Sequence, residues 1–261
     1  MSMETRDGPE FVQSLARGLA VIRAFGRDAP ALTLTEVAGR TGMTRASARR
    51  FLLTLKSLGY IGSDDGKHFY LLPEVLNLGY AYLSSMPWWQ VAQPYMEEVT
   101  AAVNESCSAS VLNGTDIIYV ARVSTHQVMT ISLGVGSRLP AYVTSMGRVL
   151  LAHLSPAMLD AYFAEAKFEK LTERTITGEN ELRAVLAEVR AKGYSLIDQE
   201  LEMGVRSVAV PILDRRGRVM AAINVGTHVA RVSKVQLTGK ILPILLDASS
   251  KITRALPHMG K

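Results

Sequence analysis

The charge of residues 37–63 is the feature of this sequence that points most directly to chemistry. This stretch contains no Asp or Glu. Five cationic side chains fall within it: Arg40, Arg45, Arg49, Arg50 and Lys56. Solvated surfaces usually mix the two signs, because neighbouring like charges repel each other unless an anion lies opposite. The stretch therefore predicts an anionic partner, and duplex DNA, with its dense phosphate charge, fits that description.

Three short helices are predicted to hold these cations in place. Apolar residues at helical spacing indicate a first helix with Ser14 as its N-cap and Gly26 at its end. Thr35 is predicted to cap a short second helix that ends at Gly42. These helices follow one another without long loops, which is typical of a helix-turn-helix.

The third predicted helix follows its N-cap Thr44 and ends near Leu58. One side of its helical wheel is apolar: Ala48, Phe51, Leu52, Leu55 and Leu58. Arg45 lies in the first turn and Arg50 points away from the apolar side, so the N-terminal half can reach base edges while the other side packs. Each arginine could bind a guanine edge or a phosphate. The free N–H groups beside Thr44 also form a natural phosphate site.

A wing is predicted after the third helix. The Asp65-Gly66 pair lies between two β-prone runs and indicates a hairpin, because such a turn needs a positive φ. The tip also carries Asp64, so only Lys67 is expected to face DNA. The predicted DNA contacts are Thr44, Arg45, Ala46, Ser47, Arg49, Arg50 and Lys67.

Two other interpretations of this region stay open. A small helical domain with a solvated basic surface would need no DNA, although the ordered series of caps, glycine turn, basic helix and hairpin favours DNA binding. A DNA binder without sequence preference would carry the same charges. Comparing operator with random duplex across salt concentrations separates that case, because nonspecific binding shows no preference.

The composition allows a second domain. The chain has 261 residues, 48% of them hydrophobic and 20% charged, with a formal net charge of +5. Beyond residue 88, helical patterns alternate with β-prone runs joined by hairpin turns at residues 113–114 and 214–217. The predicted fold class is α+β. A disordered arm is expected at residues 1–10, the winged helix-turn-helix at 11–72, a linker helix at 73–87, and an antiparallel sheet flanked by helices at 88–261.

The sequence predicts a soluble cytoplasmic protein without a membrane partner. Residues 1–10 lack the apolar core of a signal peptide, and no apolar run approaches the ~20 residues that span a bilayer. The chain has one cysteine, which excludes an intramolecular disulfide and fits a reducing compartment.

No catalytic residue, metal site or cofactor is predicted. The histidines are scattered without metal-ligand spacing. Cys107 is interpreted as a buried structural thiol. Asp198, Glu200 and Glu202 are interpreted as solvated charges on a loop, and residues 134–136 as a surface turn instead of a dinucleotide site. An enzyme with an N-terminal interaction module stays as an alternative that would need polar groups gathered near Thr144.

The sequence resembles the IclR family of bacterial transcription regulators from residue 11 to residue 256. Three segments carry the resemblance: residues 14–22, 34–60 and 204–212. Residues 44–50 and 138–148 are similar to the subgroup that regulates protocatechuate, 4-hydroxybenzoate and β-ketoadipate pathways. Ala46 stands where many family members have Ser or Thr.

The resemblance implies a GAF-like effector domain and a homodimer formed through the DNA-binding part, often as a dimer of dimers. Such dimers bind operators with two-fold half-sites of double-stranded DNA. A small carboxylic acid from aromatic breakdown is the implied effector, with β-ketoadipate or protocatechuate first.

The effector pocket is predicted around the start of a helix at Thr144, where free N–H groups and hydroxyls suit an anion. The family resemblance places the pocket there too and adds residues from a loop and strands that face it. An acidic ligand wants a cation, which Arg122 or Arg148 could supply. The predicted effector contacts are Arg122, Leu139, Thr144, Ser145, Met146, Ile197, Val205 and Ser207.

Overall fold

The computed structural model describes residues 10–85, 88–125 and 133–256. The chain forms two compact units, Met1–Ser85 and Met86–Lys261. Apart from residue 10, the predicted disordered arm lies outside the described residues. Each unit is described by itself.

The first unit holds three helices against a small antiparallel sheet of strand order β1-β3-β2. The helices are α1 (Gln13–Ala24), α2 (Leu34–Thr41) and α3 (Arg45–Ser57). The strands are β1 (Ala31–Thr33), β2 (Ile61–Gly62) and β3 (His68–Leu71). A 3-10 turn (Pro73–Val75) and helix α4 (Leu76–Ser85) follow. This is the predicted winged helix-turn-helix, and α4 lies within the predicted linker helix, whose last two residues are outside the described ones.

Two predicted helix caps in this unit are wrong. Helix α2 begins at Leu34, so Thr33 and not Thr35 is its N-cap. Thr33 ends strand β1, which fixes its extended backbone, and Glu36 closes a capping box by accepting the Thr33 N–H at 2.7 Å. Helix α1 has no side-chain cap, and Ser14 lies inside its first turn.

The core of the first unit is the apolar side of its helices. Val21 of α1, Val37 of α2 and Leu52 of α3 are fully buried together with Ile61 of β2. Gly42 ends α2 in the left-handed region at φ 65°, as its position after the helix predicted. The tight turn that it allows brings α3 directly onto α2.

The second unit is built on a six-stranded antiparallel sheet of order β6-β5-β4-β9-β8-β7. The strands are β4 (Cys107–Asn113), β5 (Asp116–Val123), β6 (Arg138–Pro140), β7 (Ser195–Asp198), β8 (Val205–Leu213) and β9 (Val219–His228). The predicted hairpins, β4–β5 and β8–β9, are confirmed. The predicted α+β class is therefore confirmed.

Helices cover both faces of this sheet. Helices α6 and α8 pack on one face, and α5 and α10 pack together on the other. They are α5 (Trp88–Val103), α6 (Ser145–Ala152), α7 (Pro156–Glu165), α8 (Glu179–Lys192), α9 (Lys234–Gln236) and α10 (Leu242–Ala255), with a 3-10 turn at Ala141–Val143. The predicted C-terminal helix is interrupted by a π-helical turn at Leu237–Ile241. Among the described residues, no helix is both long enough and apolar enough to cross a bilayer.

Candidate functional site

Helix α3 presents its cations to solvent. The Thr44 side chain caps it by accepting the Ser47 N–H at 3.2 Å, as predicted. Ala48, Leu52 and Leu55 turn into the core, which leaves the opposite side of the helix facing outward. Six of the seven predicted DNA contacts are exposed and Ser47 is half-buried. Thr44, Arg45, Ala46, Ser47, Arg49 and Arg50 thus lie together at the N-terminal half of α3.

A groove runs between α3 and α1 and contains a residue that the sequence reasoning missed. Arg17 of α1 lines this groove together with Thr44, Ser47 and Arg50. The sequence predicted Arg17 only as part of the first helix and not as a DNA contact, and its positive charge on that helix is the signal that could have indicated one. The groove therefore gathers cations from two helices.

The cations of the first unit have no carboxylate partners of their own. Within residues 10–85, the ion pair found is the one between His68 and Asp65, whose atoms Nδ1 and Oδ2 are 2.6 Å apart. Arg45, Arg49 and Arg50 have none. Unpaired cations on one face are what a phosphate backbone requires.

The wing tip uses its acidic residues for the turn. Asp65 accepts the N–H groups of Lys67 and His68 at 2.8 and 2.7 Å, and Asp64 accepts the Tyr70 hydroxyl at 2.7 Å. The hydrogen bond from the His68 side chain, followed by the backbone bonds, lowers the pKa of Asp65. Lys67 is exposed and has no carboxylate partner among the described residues.

The second unit contains a cavity of about 50 Å³ between the sheet and the start of α6. Six of the eight predicted effector residues line it: Arg122, Thr144, Ser145, Ile197, Val205 and Ser207. Seven further lining residues were not predicted: Ser106, Tyr119, Leu133, Val143, Leu201, Asn224 and Gly226. At ~10–15 Å³ for each water, this volume holds only a few waters. A larger ligand must move lining side chains.

Leu139 and Met146, also predicted to contact the effector, do not line this cavity. Met146 is the second residue of α6, and its side chain points into the core of the second unit. Leu139 packs against the same core from β6. Each of the two is an apolar residue next to a polar one that lines the cavity or lies at the edge of the sheet. Sequence spacing alone did not show which of the two neighbouring side chains points toward the cavity.

Helix α6 comes very close to the 3-10 turn before it. A Cβ on Gly147 would lie 2.1 Å from the Ala141 carbonyl oxygen, a distance that real structures do not allow. Thr144 caps the helix by accepting the Gly147 N–H at 3.1 Å. Glycine at this position therefore sets where Thr144 and Ser145 stand in the cavity wall.

A polar row crosses three neighbouring strands on the cavity face of the sheet. Ser108 of β4 is directly opposite Arg122 of β5 on one side and Asn224 of β9 on the other. Cross-strand partners point to the same face, so these three side chains share it. Arg122 donates from Nη1 to the Ser108 hydroxyl at 2.9 Å.

Arg148, the other predicted candidate for binding an acid, is occupied. Its guanidinium holds Glu200 with two bonds, Nη1–Oε1 at 2.9 Å and Nη2–Oε2 at 2.5 Å. Its Nε donates to the Tyr142 carbonyl at 2.8 Å, and its side chain is 2% exposed. Of the two arginines left open by the sequence, only Arg122 faces the cavity.

Asp198 at the end of β7 and Glu200 after it are structural, and their interpretation as solvated loop charges is wrong. Glu200 is buried against Arg148. Asp198 pairs with Arg206 at 2.7 Å, Lys234 at 2.9 Å and Arg174 at 3.0 Å. Burial raises the pKa of Asp198, but the hydrogen bonds from Arg206 and Lys234 outweigh it, so the pKa is lowered.

Burial governs the other titratable groups near the cavity. It raises the pKa of the Cys107 thiol to about 12, against the opposing charge of Arg122. Cys107 is fully buried, as interpreted from the sequence. Burial also raises the pKa of Tyr119 to about 12, so this lining phenol stays protonated. Among the described residues, no cluster of His, Cys, Asp and Glu has the arrangement of a metal site.

Comparisons with known proteins agree with this architecture. Residues 14–65 match the IclR helix-turn-helix domain, and residues 80–254 match the C-terminal part of the bacterial transcriptional regulator IclR. The Pca regulon regulatory protein of Pseudomonas putida is 47% identical over 249 residues, which cover 95% of this chain and 85% of that protein. The p-hydroxybenzoate hydroxylase transcriptional activator of Acinetobacter baylyi is 36% identical over 248 residues, covering 93% of this chain and 91% of that protein.

A solved structure shows the same fold. The crystal structure of an IclR homolog complexed with 4-hydroxybenzoate, from Microbacterium hydrocarbonoxydans, superimposes with a TM-score of 0.82. It is 25% identical, and the match covers 94% of this chain and 99% of that one.

A winged helix-turn-helix with unpaired cations, joined in one chain to a sheet domain with a polar cavity, defines a DNA-binding transcription regulator. The chain belongs to the IclR family. The two relatives are named a regulatory protein and a transcriptional activator, which agrees with the expectation of a regulator and not an enzyme.

Proposed function

We propose that this regulator controls genes of aromatic-acid catabolism and that a small carboxylate bound in the cavity changes its hold on DNA. The observation that carries the proposal is Arg122. It is the one half-buried or buried Arg or Lys in the described part of the second unit without a carboxylate partner, and it faces the cavity. Buried cations are usually paired, so we expect Arg122 to bind an anion from outside the chain.

The names of the relatives support the class of genes and of ligand. The relative that is 47% identical is a Pca regulon regulator, and the solved structure at TM-score 0.82 holds 4-hydroxybenzoate. Protocatechuate, β-ketoadipate and 4-hydroxybenzoate are the carboxylates to test first. A regulator of these genes acts where the chromosome is, so we place it in the cytoplasm.

Double-stranded DNA is the second partner, and α3 is its reader. We propose that Arg45 and Arg50 contact base edges or phosphates in the major groove. Lys67 at the wing tip and Arg17 beside the α3 groove contact the phosphate backbone. Small Ala46 lets the helix approach the bases closely.

A homodimer is part of the proposal because the first unit leaves an apolar helix uncovered. Helix α4 contains no charged residue and buries none of its side chains. Its large apolar residues Leu76, Leu78, Tyr80 and Tyr82 are all exposed. A second copy of the chain would cover this surface and bring two α3 helices to the two halves of a two-fold operator. A dimer of dimers would extend the same plan.

The cavity volume supports a link between binding and shape. Because about 50 Å³ does not accommodate a benzoate-sized ligand without rearrangement, the ligand binds an arrangement of lining side chains that differs from the one described. A ligand shifts a regulator only when it prefers one of its arrangements.

The test starts from the full-length protein. Duplexes that it retains from a random pool define an operator, and affinity for that operator and for a scrambled duplex is then measured across salt concentrations. We expect a preference for the operator that protocatechuate, 4-hydroxybenzoate or β-ketoadipate alters at millimolar concentration.

Two variants separate the two partners. Arg50→Ala should lose the operator and keep the ligand, whereas Arg122→Gln should keep the operator and lose the response to ligand. Equal affinity for operator and scrambled duplex, or no effect of any acid on the wild type, would contradict the proposal.

A further inference from the structure

The cavity carries a charge pattern from which the class of its ligand follows, and this inference rests on the proposed function. Of the described residues that line it, Arg122 is the one with a formal charge. The neighbouring cations are already paired, because Arg148 forms an ion pair with Glu200 and Arg206 forms one with Asp198. The cavity can therefore neutralise one carboxylate.

Asn224 stands beside Arg122 as a second anchor that the sequence reasoning missed. Both residues flank Ser108 in the same row of the sheet, two strand spacings or about 10 Å apart at their Cα atoms. The Asn224 carboxamide has no hydrogen-bond partner within the described ranges, although the residue is buried. A carboxylate between the two side chains would accept from the guanidinium on one side and the amide on the other.

The other end of the cavity is neutral. Ser207 donates to the Ser145 hydroxyl at 2.8 Å, which leaves the Ser145 proton and the lone pairs of Ser207 for a ligand. The hydroxyl of Thr144 is already used by the Ala141 carbonyl and the Gly147 N–H. This end can exchange hydrogen bonds with a hydroxyl, but its described residues include no cation for a second carboxylate.

The lining between these ends suits a flat ring once its side chains have moved apart to admit one. Ser207 lies three strand spacings from Arg122, about 14 Å across the sheet. Gly226, opposite Ser207, lines the floor without a side chain. Apolar side chains surround it: Leu133, Val143, Ile197, Leu201 and Val205.

We propose that this cavity selects aromatic monocarboxylates that carry a neutral hydroxyl at the far end, and that it rejects dicarboxylates. Arg122 and Asn224 bind the carboxylate, and the Ser145–Ser207 pair binds the hydroxyl. Of the acids considered for this regulator, hydroxybenzoates such as protocatechuate then bind and β-ketoadipate, with two carboxylates, does not.

Three ligands that differ at one ring position test the proposal by calorimetric titration of the full-length protein. They are 4-hydroxybenzoate, benzoate and terephthalate, used at pH 8, where histidine of ordinary pKa is neutral. We expect 4-hydroxybenzoate to bind most tightly. Terephthalate should bind at least about tenfold more weakly, because its second carboxylate would be buried without a cation.

Variants assign the two ends. Ser207→Ala should weaken 4-hydroxybenzoate by about 2- to 10-fold and leave benzoate unchanged, since only the former has a hydroxyl to lose. Arg122→Gln should weaken both by about 10-fold or more, and Asn224→Ala should weaken both by a smaller factor. Ser250→Ala, on an exposed position of α10, is the matched control and should change none of them.

The outcomes distinguish this inference from the proposed function. Binding of terephthalate or β-ketoadipate as tightly as 4-hydroxybenzoate, with an effect on operator affinity, would overturn the inference and leave the proposed function standing. Failure of every acid to bind would overturn both. An equal loss of benzoate and 4-hydroxybenzoate in Ser207→Ala would refute the placement of the hydroxyl.

Discussion

The two units of this protein treat their cations in opposite ways. In the first, the arginines of α1 and α3 are exposed and have no carboxylate within ion-pair distance among the described residues. In the second, Arg148, Arg183, Arg206 and Lys251 are buried or half-buried, and each pairs with a carboxylate. The first unit leaves its cations for an external partner, whereas the second uses them to hold its own fold together.

Arg122 breaks the pattern of the second unit. It is half-buried like the paired cations, yet its side chain binds only the neutral hydroxyl of Ser108 within the described structure. Arg122 therefore resembles the unpaired arginines of the first unit, although it belongs to the second. The comparison therefore singles out Arg122 as the half-buried cation of the described second unit that is available, as the exposed arginines of α3 are, to an anion from outside the chain.

The largest expected effect comes from breaking the buried pair of the second unit. Arg148→Met leaves Glu200 buried without its partner and should lower the free energy of unfolding by about 3–5 kcal/mol. Both tryptophans, Trp88 and Trp89, lie in α5, so their fluorescence during urea unfolding reports on the second unit.

The control removes an exposed pair instead. Lys192→Met separates Lys192 from Glu188 on the surface of α8 and should leave the free energy of unfolding nearly unchanged, because solvent screens an exposed pair. A loss of similar size in both variants would mean that burial does not distinguish the pairs.

The next effect concerns the unpaired cations of α3. Arg50→Ala should weaken operator binding by about 1–3 kcal/mol and leave the urea midpoint of the first unit, followed by far-UV circular dichroism, unchanged, because the exposed Arg50 side chain has no hydrogen bond or ion pair among the described residues. Arg216→Ala, in the exposed turn between β8 and β9, serves as the control and should alter neither quantity, because within the described structure only its backbone is hydrogen-bonded. Binding is measured by fluorescence anisotropy of a labelled operator. A destabilised Arg50→Ala protein would show that this cation has a structural partner.

A smaller effect sharpens the position of Arg122. Because Arg122 leaves no carboxylate behind and gives up only its hydrogen bond to Ser108, Arg122→Gln should lower the free energy of unfolding by no more than about 1.5 kcal/mol. The tryptophan signal measures this too. A loss near that of Arg148→Met would place Arg122 with the structural cations and remove the basis for a ligand there.

The smallest effect tests the ion pair found among the described residues of the first unit. The pKa of Asp65 is lowered in the folded wing, so its contribution to stability is present above the pKa of an unfolded aspartate, about 3.9, and is lost as pH falls through the folded value. The side-chain carboxyl carbon of Asp65 should therefore titrate by NMR with a midpoint below about 3.9. Asp65→Asn removes this signal and identifies it, and a midpoint at or above about 3.9 would contradict the assignment.

The sequence predicted the elements that depend on local signals. Thr44 caps α3, Asp65-Gly66 turns the wing, and the hairpins of the second unit fall where their turn residues stand. For the cap of α2 a local signal was missed, because Thr33 is followed three residues later by Glu36, the spacing of a capping box, whereas Thr35 is followed by Ala38. The pairing of β1 with β3, more than 30 residues away, also holds Thr33 extended. Short-range patterns contain no information about that pairing.

Only part of the cavity lining was predicted, because pairing between distant strands leaves no local signal in the sequence. Thr144 and Ser145 were predicted from their position at the start of a helix, and Ser207 was predicted from the family resemblance. Asn224 and Gly226 lie in an apolar strand where nothing local marks them, and only the register of β9 against β4 and β8 turns them toward Arg122. The ion pairs of Asp198 with Arg174 and of Glu200 with Arg148 likewise join residues that are 24 and 52 positions apart in the chain.

The small volume of the cavity also governs the speed of the response. Side chains must move before a ring can enter, so the rate of association is set by a motion of the protein and falls below the rate at which ligand and protein collide. The same motion must be repeated before the ring can leave. We therefore expect the observed rate of association to level off at high ligand concentration, at the rate of this motion.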